Sequence, residues 1–316
     1  MPAYNVSGYI SATLDSALSQ TFKDFEIIVV DDGSPDFSNL QNVLAKYFDD
    51  IVFIRQENSG AAAARNTAIS NARGSILAFL DGDDVWLPEK LSKQVEFLQN
   101  YGLEMVYCDA LLFGDPQFDS KTFMQTSPSN GEVSPESLLN GTCNIITSGT
   151  IVKKERILEV GCFDENADRI EDFDLWFRLC KIRVKIGYQK EVMLKYRIRA
   201  GSLTGTSVEK NLRTIAAMNL VREKHKLSIS EEFALNETIR ASSAAMEAEL
   251  GKRELIARNF AAAKEHFARS VSFVPSLKIK IINILLTTSP NIVLRLFKKF
   301  RPFEASGISS QKSHES

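Results

Sequence analysis

Three carboxylates stand within four positions at the end of an apolar run in the segment Phe79–Trp86. They are Asp81, Asp83 and Asp84. Clustered carboxylates repel one another and favour a nearby cation, and hard divalent ions prefer oxygen ligands. Asp81 and Asp83 could therefore hold one metal ion, with its other positions left to a diphosphate and water. The alternative is an acidic helix start, in which Asp83 or Asp84 caps the helix that Pro88 opens.

Two more acidic groups could take part in chemistry. Asp31 and Asp32 follow an apolar, β-branched run, where a carboxylate could accept a hydrogen bond from a ring N–H or a ribose hydroxyl. Glu171, Asp172 and Asp174 stand near a predicted helix start. One of these three could act as a general base while the others favour the helix N-terminus. The alternatives are a solvated loop or Asx turn for the first pair and capping alone for the second group.

Basic residues at two places could face an anion. Arg65 lies among alanines in a predicted helix at 61–72, whose small side chains leave room for a ligand. Arg197 and Arg199 end an apolar strand, from which guanidinium groups could contact a phosphate. The alternatives are a structural ion pair for Arg65 and a solvated strand face for the other two arginines.

The elements around these residues alternate between strand and helix. Strands are predicted at 25–30, 51–54 and 75–80, with helical patterns at 40–48 and 61–72. This alternation predicts an α/β fold with a parallel, doubly wound sheet. Because its crossovers are right-handed, the acids after the first and third strands should meet at one edge, where open α/β sheets bind ligands. The opening five residues are predicted to form a loop.

The second part of the chain has a different character. Residues 114–146 are rich in turn-forming residues, which predicts a binding region or a lid. From about residue 208 only helical patterns remain, at 212–224, 231–250 and 254–273. Residues 278–301 mix Lys and Arg with Ile, Leu and Val and contain no acid. This pattern is typical of a helix that lies on an anionic membrane, or of a bundle helix with a solvated basic face.

Bulk composition excludes some classes of protein. The net charge of −2 and pI near 6.1 give no electrostatic case for binding nucleic acid. The four cysteines have no C-x-x-C spacing and lie in or near apolar runs, so we expect buried, reduced side chains rather than disulfides or a zinc site. No apolar stretch is long enough to cross a bilayer. We therefore expect a cytoplasmic protein, at the inner face of the membrane if 278–301 binds lipid.

In order along the chain, these motifs resemble family 2 glycosyltransferases with the GT-A fold. The motifs are PAYN, VVDDGS, N-x-G-x-x-x-ARN, FLDGDD-x-W-x-P-x-K, GCFDE, EDFDLWFRL and YRIRAGSLT. The resemblance implies a Rossmann-like, mixed sheet flanked by helices, the fold of nucleotide-diphospho-sugar transferases. It implies a glycosyltransferase domain at 1–205, and the helical patterns that follow predict a helical extension at 206–303. A disordered tail is predicted at 304–316.

The resemblance also assigns residues to the donor. It implies that Ala3 and Tyr4 line the nucleotide base, and that Asp32 and Arg65 hold that base, typically uracil. It places Asp81 near the ribose or the metal ion. The favoured donor is therefore a UDP-sugar.

The remaining roles concern the metal and the reaction. The resemblance implies that Asp83, with Asp81, binds Mg²⁺ or Mn²⁺. Asp172 matches the catalytic base, with Glu171 beside it. Arg199 stands where relatives often have histidine, and since arginine cannot ligate a metal ion, we expect it to contact the diphosphate.

The implied activity is inverting transfer of a sugar to a hydroxyl of a glycan or lipid-linked acceptor, as in polysaccharide biosynthesis for the cell envelope. One departure is that relatives carry a hydrophobic strand before the PAYN segment. We therefore expect the first strand to be missing here and the natural start to lie upstream of Met1. Two alternatives stay open: a phosphatase or phosphotransferase with Asp81 as nucleophile, and a non-catalytic protein that binds nucleotide sugars.

Overall fold

The computed structural model describes residues 1–118, 120–167, 170–199 and 207–300. The chain divides into two units, Met1–Ala200 and Gly201–Ser316. The predicted tail at 304–316 lies outside the described residues. All the carboxylates and arginines singled out above belong to the first unit.

The first unit is built from eight strands and eight α-helices within the described residues. Its strands are β1 (Pro2–Ala3), β2 (Ile27–Asp32), β3 (Ile51–Gln56), β4 (Ile76–Ala78), β5 (Val85–Trp86), β6 (Met105–Phe113), β7 (Ile151–Lys153) and β8 (Ile186–Arg197). Its helices are α1 (Ile10–Leu18), α2 (Phe37–Leu44), α3 (Gly60–Asn71), α4 (Lys90–Asn100), α5 (Phe123–Thr126), α6 (Pro135–Leu139), α7 (Lys154–Glu159) and α8 (Glu171–Lys181).

These strands form two sheets. The first is parallel, with the order β1-β2-β3, and the second is mixed, with the order β4-β7-β6-β8-β5. In the second sheet β7 runs antiparallel to both of its neighbours, whereas β8 runs parallel to β6. The α/β fold is therefore confirmed, with the parallel order limited to the first sheet and the mixed order of the GT-A fold in the second.

The chain begins as a very short strand rather than as the predicted loop. Pro2 lies opposite Val30 and Ala3 opposite Asp31 in a parallel ladder. Two residues are too few to extend along the whole of β2. As a result, β1 and β4 each end a sheet, and no ladder joins the two sheets within the described residues.

The core of the first unit lies between the sheets and their helices. Strand β2 is buried at all six positions, as its run of Ile and Val requires. Cys108, Cys143 and Cys180 are buried and Cys162 is half-buried, and all four are free thiols. The prediction of buried cysteines holds for three of the four, and their reduced state stays a prediction. Strand β8 pairs with β6 along its length, with register shifts on both sides of Asp109.

The second unit is helical throughout its described part. Its helices are α9 (Ser207–Lys224), α10 (Ile229–Ile256), α11 (Phe260–Phe273), α12 (Leu277–Thr288) and α13 (Pro290–Phe300). The prediction that a helix ends at residue 250 is wrong, because α10 continues through Gly251. A Cβ at that position would lie 2.9 Å from ring atoms of Phe267, so the glycine admits an aromatic ring from α11.

The basic, apolar stretch near the end of the described chain forms two helices instead of one. Ser289 separates α12 from α13, and α13 begins at Pro290, since proline fits the first turn of a helix but not its interior. Each helix turns one apolar face to a core that includes Leu286, Val293 and Leu294. Among the described helices, none combines the length and apolarity needed to span a bilayer.

Candidate active site

The turn after β2 holds the start of α3 against a carboxylate. Gly33 has a φ of +69°, and a Cβ there would lie 2.8 Å from Asn58 N, so glycine lets two loops approach closely. Asp32 accepts hydrogen bonds from the backbone N–H groups of Ser59 and Gly60, at 2.9 and 2.8 Å. The N-terminus of α3, which favours negative charge, thus fixes the Asp32 side chain.

Arg65 joins two acidic groups that are far apart in the sequence. Its Nη2 donates to Asp81 Oδ1 at 2.9 Å, and its Nη1 donates to Glu171 Oε1 at 3.1 Å. The arginine is buried. Burial works to lower the pKa of Arg65, but the carboxylates of Asp81 and Glu171 outweigh it and raise the pKa above its usual range. The acids that follow β4 and those that open α8 therefore line one site.

A short 3₁₀ turn, Thr147–Gly149, holds two further candidates. The Ser148 hydroxyl accepts a hydrogen bond from the backbone N–H of Asp81 at 3.0 Å. The hydroxyl of its neighbour Thr147 donates to Asp172 Oδ2 at 3.1 Å. Because adjacent residues bind Asp81 and Asp172, the predicted donor side and the predicted base face the same cleft.

Asp172 has the electrostatic environment of a proton acceptor. Burial raises the pKa of Asp172, and the adjacent Glu171 carboxylate raises it further. Arg65 and the hydrogen bond from Thr147 act in the opposite direction. A carboxylate whose pKa is raised binds a proton more readily, which suits a general base.

Asp83 lies in a basic and aromatic environment. Arg199 Nε donates to Asp83 Oδ2 at 2.5 Å, and Arg197 Nε donates to the Asp83 carbonyl oxygen at 3.0 Å. Both guanidinium groups lie over the Tyr9 ring, at 4.6 and 4.7 Å from its centroid. Burial raises the pKa of Asp83, although Arg199 opposes that shift. The cluster places two cations where a diphosphate could lie.

Asp84 has a different role from the one predicted. It is 1% exposed and accepts a hydrogen bond from the backbone N–H of Arg197 at 2.9 Å. Helix α4 begins at Lys90 with Glu89 as its N-cap, and no side chain caps it. The prediction that Asp83 or Asp84 caps this helix is therefore wrong. The Asp84 carboxylate binds the backbone of β8 instead, and the Asp83 carboxylate binds Arg199.

The two acids predicted to bind a metal ion each keep one oxygen clear of the arginines. Arg65 contacts Oδ1 of Asp81, and Arg199 contacts Oδ2 of Asp83. Among the described residues, no group of three or more His, Cys, Asp or Glu side chains could hold a metal by itself. Two carboxylates offer the oxygen donors that Mg²⁺ and Mn²⁺ accept, and such an ion keeps positions for phosphate and water. The residues fit a metal site that a bound diphosphate completes.

The residues predicted for the nucleotide base lie at the ends of β1 and β2. Ala3 is fully buried opposite Asp31, whereas Tyr4 is 49% exposed. The backbone N–H of Asn5 donates to Ser34 Oγ at 3.2 Å, which ties this segment to the turn after β2. Ala3, Tyr4 and Asp32 are thus near neighbours in the fold, and Arg65 contacts the acids instead.

Several residues of the site carry no motif that the sequence alone could reveal. Thr147 and Ser148 hold the two aspartates, and Tyr9 supports the two arginines. Gln56 donates to Asp32 Oδ1 at 2.8 Å. Threonine, serine and glutamine are common in loops, so their spacing gives no signal. Tyr9 precedes α1 in a segment that reads only as a helix start.

Comparison with known proteins supports one family. The sequence profile described as "Glycosyl transferase family 2" matches residues 1–155. The chain is 32% identical over 217 residues to the uncharacterized glycosyltransferase RP339 of Rickettsia prowazekii, covering 66% of this chain and 65% of that protein. It therefore spans slightly less than two thirds of that relative.

Two more proteins extend the comparison. The Escherichia coli protein WfaP, a UDP-Glc:α-D-GlcNAc-diphosphoundecaprenol β-1,3-glucosyltransferase, is 30% identical over 244 residues, covering 75% of this chain and 92% of WfaP. The crystal structure of Staphylococcus aureus TarS 1–349 with UDP-GlcNAc is 17% identical and has a TM-score of 0.56, covering 95% of this chain and 90% of that one. TarS shows the same fold, and on the match to WfaP the chain belongs to glycosyltransferase family 2.

Proposed function

We propose that this protein is an inverting glycosyltransferase that moves a sugar from a UDP-sugar to a hydroxyl of a lipid-linked glycan. The observation that carries the proposal is the pair of contacts from Arg65 to Asp81 and Glu171. These contacts join the acids on the side predicted for the donor to the acids beside the predicted base. An enzyme that transfers a group between two bound substrates needs both sets of residues in one cleft. Family membership favours this reading over a phosphatase with Asp81 as nucleophile.

The choice of UDP rests on the relatives. WfaP is named for UDP-Glc, and TarS was crystallised with UDP-GlcNAc. In this chain the ends of β1 and β2 carry Ala3, Tyr4 and Asp32 in the place that the resemblance gives to the base. WfaP is also named for a diphosphoundecaprenol acceptor, which supports a lipid-linked glycan and a role in making the cell envelope.

The reaction we infer is a single displacement. Asp172 takes the proton of an acceptor hydroxyl while that oxygen forms a bond to the anomeric carbon of the sugar. The bond from the anomeric carbon to the phosphate oxygen breaks, and UDP leaves with the electron pair on the opposite face. The Thr147 hydroxyl holds Asp172 in place, and the raised pKa of Asp172, to which the Glu171 carboxylate contributes, favours proton uptake.

The departing diphosphate needs compensating positive charge. Arg199 and Arg197 lie over Tyr9 beside Asp83, where their guanidinium groups can contact phosphate oxygens in pairs. Asp81 and Asp83 would hold a Mg²⁺ or Mn²⁺ ion, which when bound neutralises charge on the diphosphate. Arg65 limits repulsion between Asp81 and Glu171 while the donor binds.

The proposal for Asp172 is tested by Asp172→Asn, which keeps the size of the side chain and removes the base. We expect this variant to bind UDP with unchanged affinity in a calorimetric titration with Mn²⁺. We expect transfer to a diphosphoundecaprenol-linked acceptor to fall by at least about 10²-fold. Glu96→Gln is the matched control, since it neutralises an exposed carboxylate on α4. Full transfer by the Asp172 variant would remove the assignment of the base.

Helices α12 and α13 support contact with the membrane that carries such an acceptor. Leu277, Ile281 and Ile284 are 75%, 49% and 67% exposed on α12, beside Lys278 and Lys280. On α13 the exposed apolar side chains are Ile292 and Leu296, with basic residues around them. Exposed isoleucine and leucine mixed with lysine suit the interface of an anionic bilayer.

Vesicle flotation tests this contact. We expect the chain to float with vesicles that contain anionic phosphatidylglycerol and to stay behind with neutral phosphatidylcholine. The double variant Ile281→Ser/Ile284→Ser should lose most of the binding. Ile229→Ser is the matched control, because Ile229 is 92% exposed on α10 and is not part of this basic surface. Equal binding by the double variant and the control would contradict the proposal.

A further inference from the structure

Tyr196 lies on β8 beside residues of the candidate active site, and the inferred reaction gives it no role. Leu194, two residues earlier, is opposite Trp86 of β5, and Tyr196 itself is opposite Leu112 of β6. Side chains two apart in a strand, and those of directly paired residues, project from the same face of a sheet. The Tyr196 side chain therefore shares one face of the second sheet with Leu194 and Trp86.

The 3₁₀ turn that holds Asp81 and Asp172 covers this face. The indole Nε1 of Trp86 donates to the carbonyl oxygen of Ser148, in that turn, at 2.8 Å. Side-chain hydroxyls of the same turn contact the backbone N–H of Asp81 and the carboxylate of Asp172. Tyr196 thus projects from the sheet on the side where the acids predicted for the donor and for the base are held.

The ring of Tyr196 is held in place, while its hydroxyl has no partner. The ring packs edge to face on Phe123 of α5, with 6.1 Å between the centroids, and against the core of the first unit. Among the described residues no group bonds to its hydroxyl, and this oxygen is not one of the polar atoms that are sealed from solvent without a partner. The Tyr107 hydroxyl on β6 is such a sealed atom. The Tyr196 hydroxyl therefore reaches open space, where a ligand can bind it.

The electrostatic surroundings of Tyr196 agree with this placement. Burial raises the pKa of the Tyr196 hydroxyl, and four carboxylates raise it further. In decreasing order of effect they belong to Asp84, Asp81, Asp172 and Asp83. The phenol is therefore protonated and neutral at ordinary pH, among ionised carboxylates that can only accept hydrogen bonds.

A sugar hydroxyl can use this combination of groups. Its O–H donates to a carboxylate, and its oxygen then has lone pairs left for a hydrogen-bond donor. Arg65 and Arg199 are already bound to acids of the cleft. The Tyr196 hydroxyl can donate without first giving up another bond. A protein group that bonds to a substrate hydroxyl also rejects analogues that lack it, because the group is then left unpaired.

We propose that the Tyr196 hydroxyl donates a hydrogen bond to one hydroxyl of the transferred sugar and so helps to select that sugar. This inference rests on the proposed function, because it needs a UDP-sugar in the cleft. The sugar is the partner rather than the nucleotide base, since the residues predicted for the base lie at the ends of β1 and β2, in the other sheet. The reacting sugar must lie between the diphosphate and Asp172, on the side of the cleft that Tyr196 faces.

The test is Tyr196→Phe, which keeps the ring on Phe123 and removes only the hydroxyl. Calorimetric titrations with Mn²⁺ compare UDP with UDP-Glc or UDP-GlcNAc, whichever of the two sugars the natural chain binds more tightly. We expect unchanged affinity for UDP and about 3- to 10-fold weaker binding of the UDP-sugar, the effect of one lost neutral hydrogen bond. The Tm should stay the same, because the hydroxyl makes no bond within the described residues. Tyr188→Phe is the matched control on β8, where the ring stacks on Tyr107 at 5.0 Å, and it should change neither affinity.

Deoxy analogues of the same UDP-sugar identify the hydroxyl. The analogue that lacks the contacted hydroxyl should bind equally to the natural chain and to Tyr196→Phe, whereas the other analogues should keep the difference. Unchanged binding of the UDP-sugar by Tyr196→Phe, a loss that UDP shares, or a change confined to the KM of the acceptor would overturn the inference. In each of these cases the natural chain still binds UDP, so the proposed function stands. A natural chain that binds neither UDP nor a UDP-sugar would overturn both.

Discussion

The Arg199 guanidinium lies against the Asp83 carboxylate, with Nε 2.5 Å from Oδ2. Both side chains are partly buried, so the interaction is less screened than that of an exposed ion pair. Asp83 is also the acid predicted to bind the metal ion, and Arg199 the cation predicted to contact the diphosphate. One carboxylate thus has two competing cationic partners. When a diphosphate enters, Arg199 can move to it and leave both oxygens of Asp83 for the ion.

This competition predicts opposite effects on two ligands. In Arg199→Ala, Mn²⁺ should bind the protein alone about tenfold more tightly, because a positive charge has left the site. UDP should bind about 10- to 100-fold more weakly, since a charge-assisted hydrogen bond is lost. Isothermal titration measures both affinities. Lys195→Ala is the control, as it removes an exposed charge from the same strand. Unchanged Mn²⁺ affinity in Arg199→Ala would contradict the competition.

The sequence predicts where strands occur along the chain and which of them end in acidic residues, because both follow from local patterns. It cannot predict which side chains meet across the fold. Ser148 and Asp81 are 67 residues apart, and they meet because β7 inserts between β4 and β6. Asp84 has the sequence position of a helix cap, yet it accepts a hydrogen bond from Arg197, 113 residues away. Such contacts depend on register between distant strands.

We expect that lysine cannot replace Arg65, because the planar guanidinium contacts two carboxylates at once through separate nitrogens. In Arg65→Lys the charge remains, but a single ammonium group cannot replace two separate N–H contacts to Asp81 and Glu171. We expect transfer to fall by at least about tenfold and the free energy of unfolding to fall by about 1–3 kcal/mol. Arg73→Lys, which changes an exposed ion pair with Glu26, should have little effect. Chemical denaturation and UDP release provide the two readouts, and equal behaviour of the two variants would count against a special role for Arg65.

Thr147 positions Asp172 and should also set its pKa. The hydrogen bond from the Thr147 hydroxyl favours the charged carboxylate and lowers the pKa of Asp172. Thr147→Val keeps the shape and removes the donor, so the pKa of Asp172 should rise. Because the ionised form is the base, the acidic limb of the kcat/KM profile should move to higher pH. Ser148→Ala provides the contrast, since Ser148 contacts the Asp81 backbone and its loss should change donor KM without moving the limb. If the acidic limb of the kcat/KM profile does not move in Thr147→Val, then Thr147 does not set the pKa of Asp172.

Lys90 should make stability depend on pH. It is 1% exposed, its Nζ donates to Gln94 Oε1 at 2.7 Å, and it lies 4.3 Å from the centroid of the Trp86 ring. Burial lowers the pKa of Lys90 from 10.5 to about 8. The unfolded chain therefore binds more protons between these values, so stability should rise with pH from about 8 to 10.5. Below that window the charged amine costs on the order of 3 kcal/mol.

Lys90→Met has a similar length and no charge, so it should gain stability relative to the natural chain at pH 7 and lose that advantage by pH 10. The measurement is the difference in Tm between the two proteins at each pH. The absolute difference also includes the lost hydrogen bond to Gln94, so the change with pH is the informative quantity. Lys93→Met, at an exposed position on the same helix, should show no advantage that fades with rising pH. A Tm difference for Lys90→Met that stays constant across the window would mean that burial does not lower the pKa of Lys90.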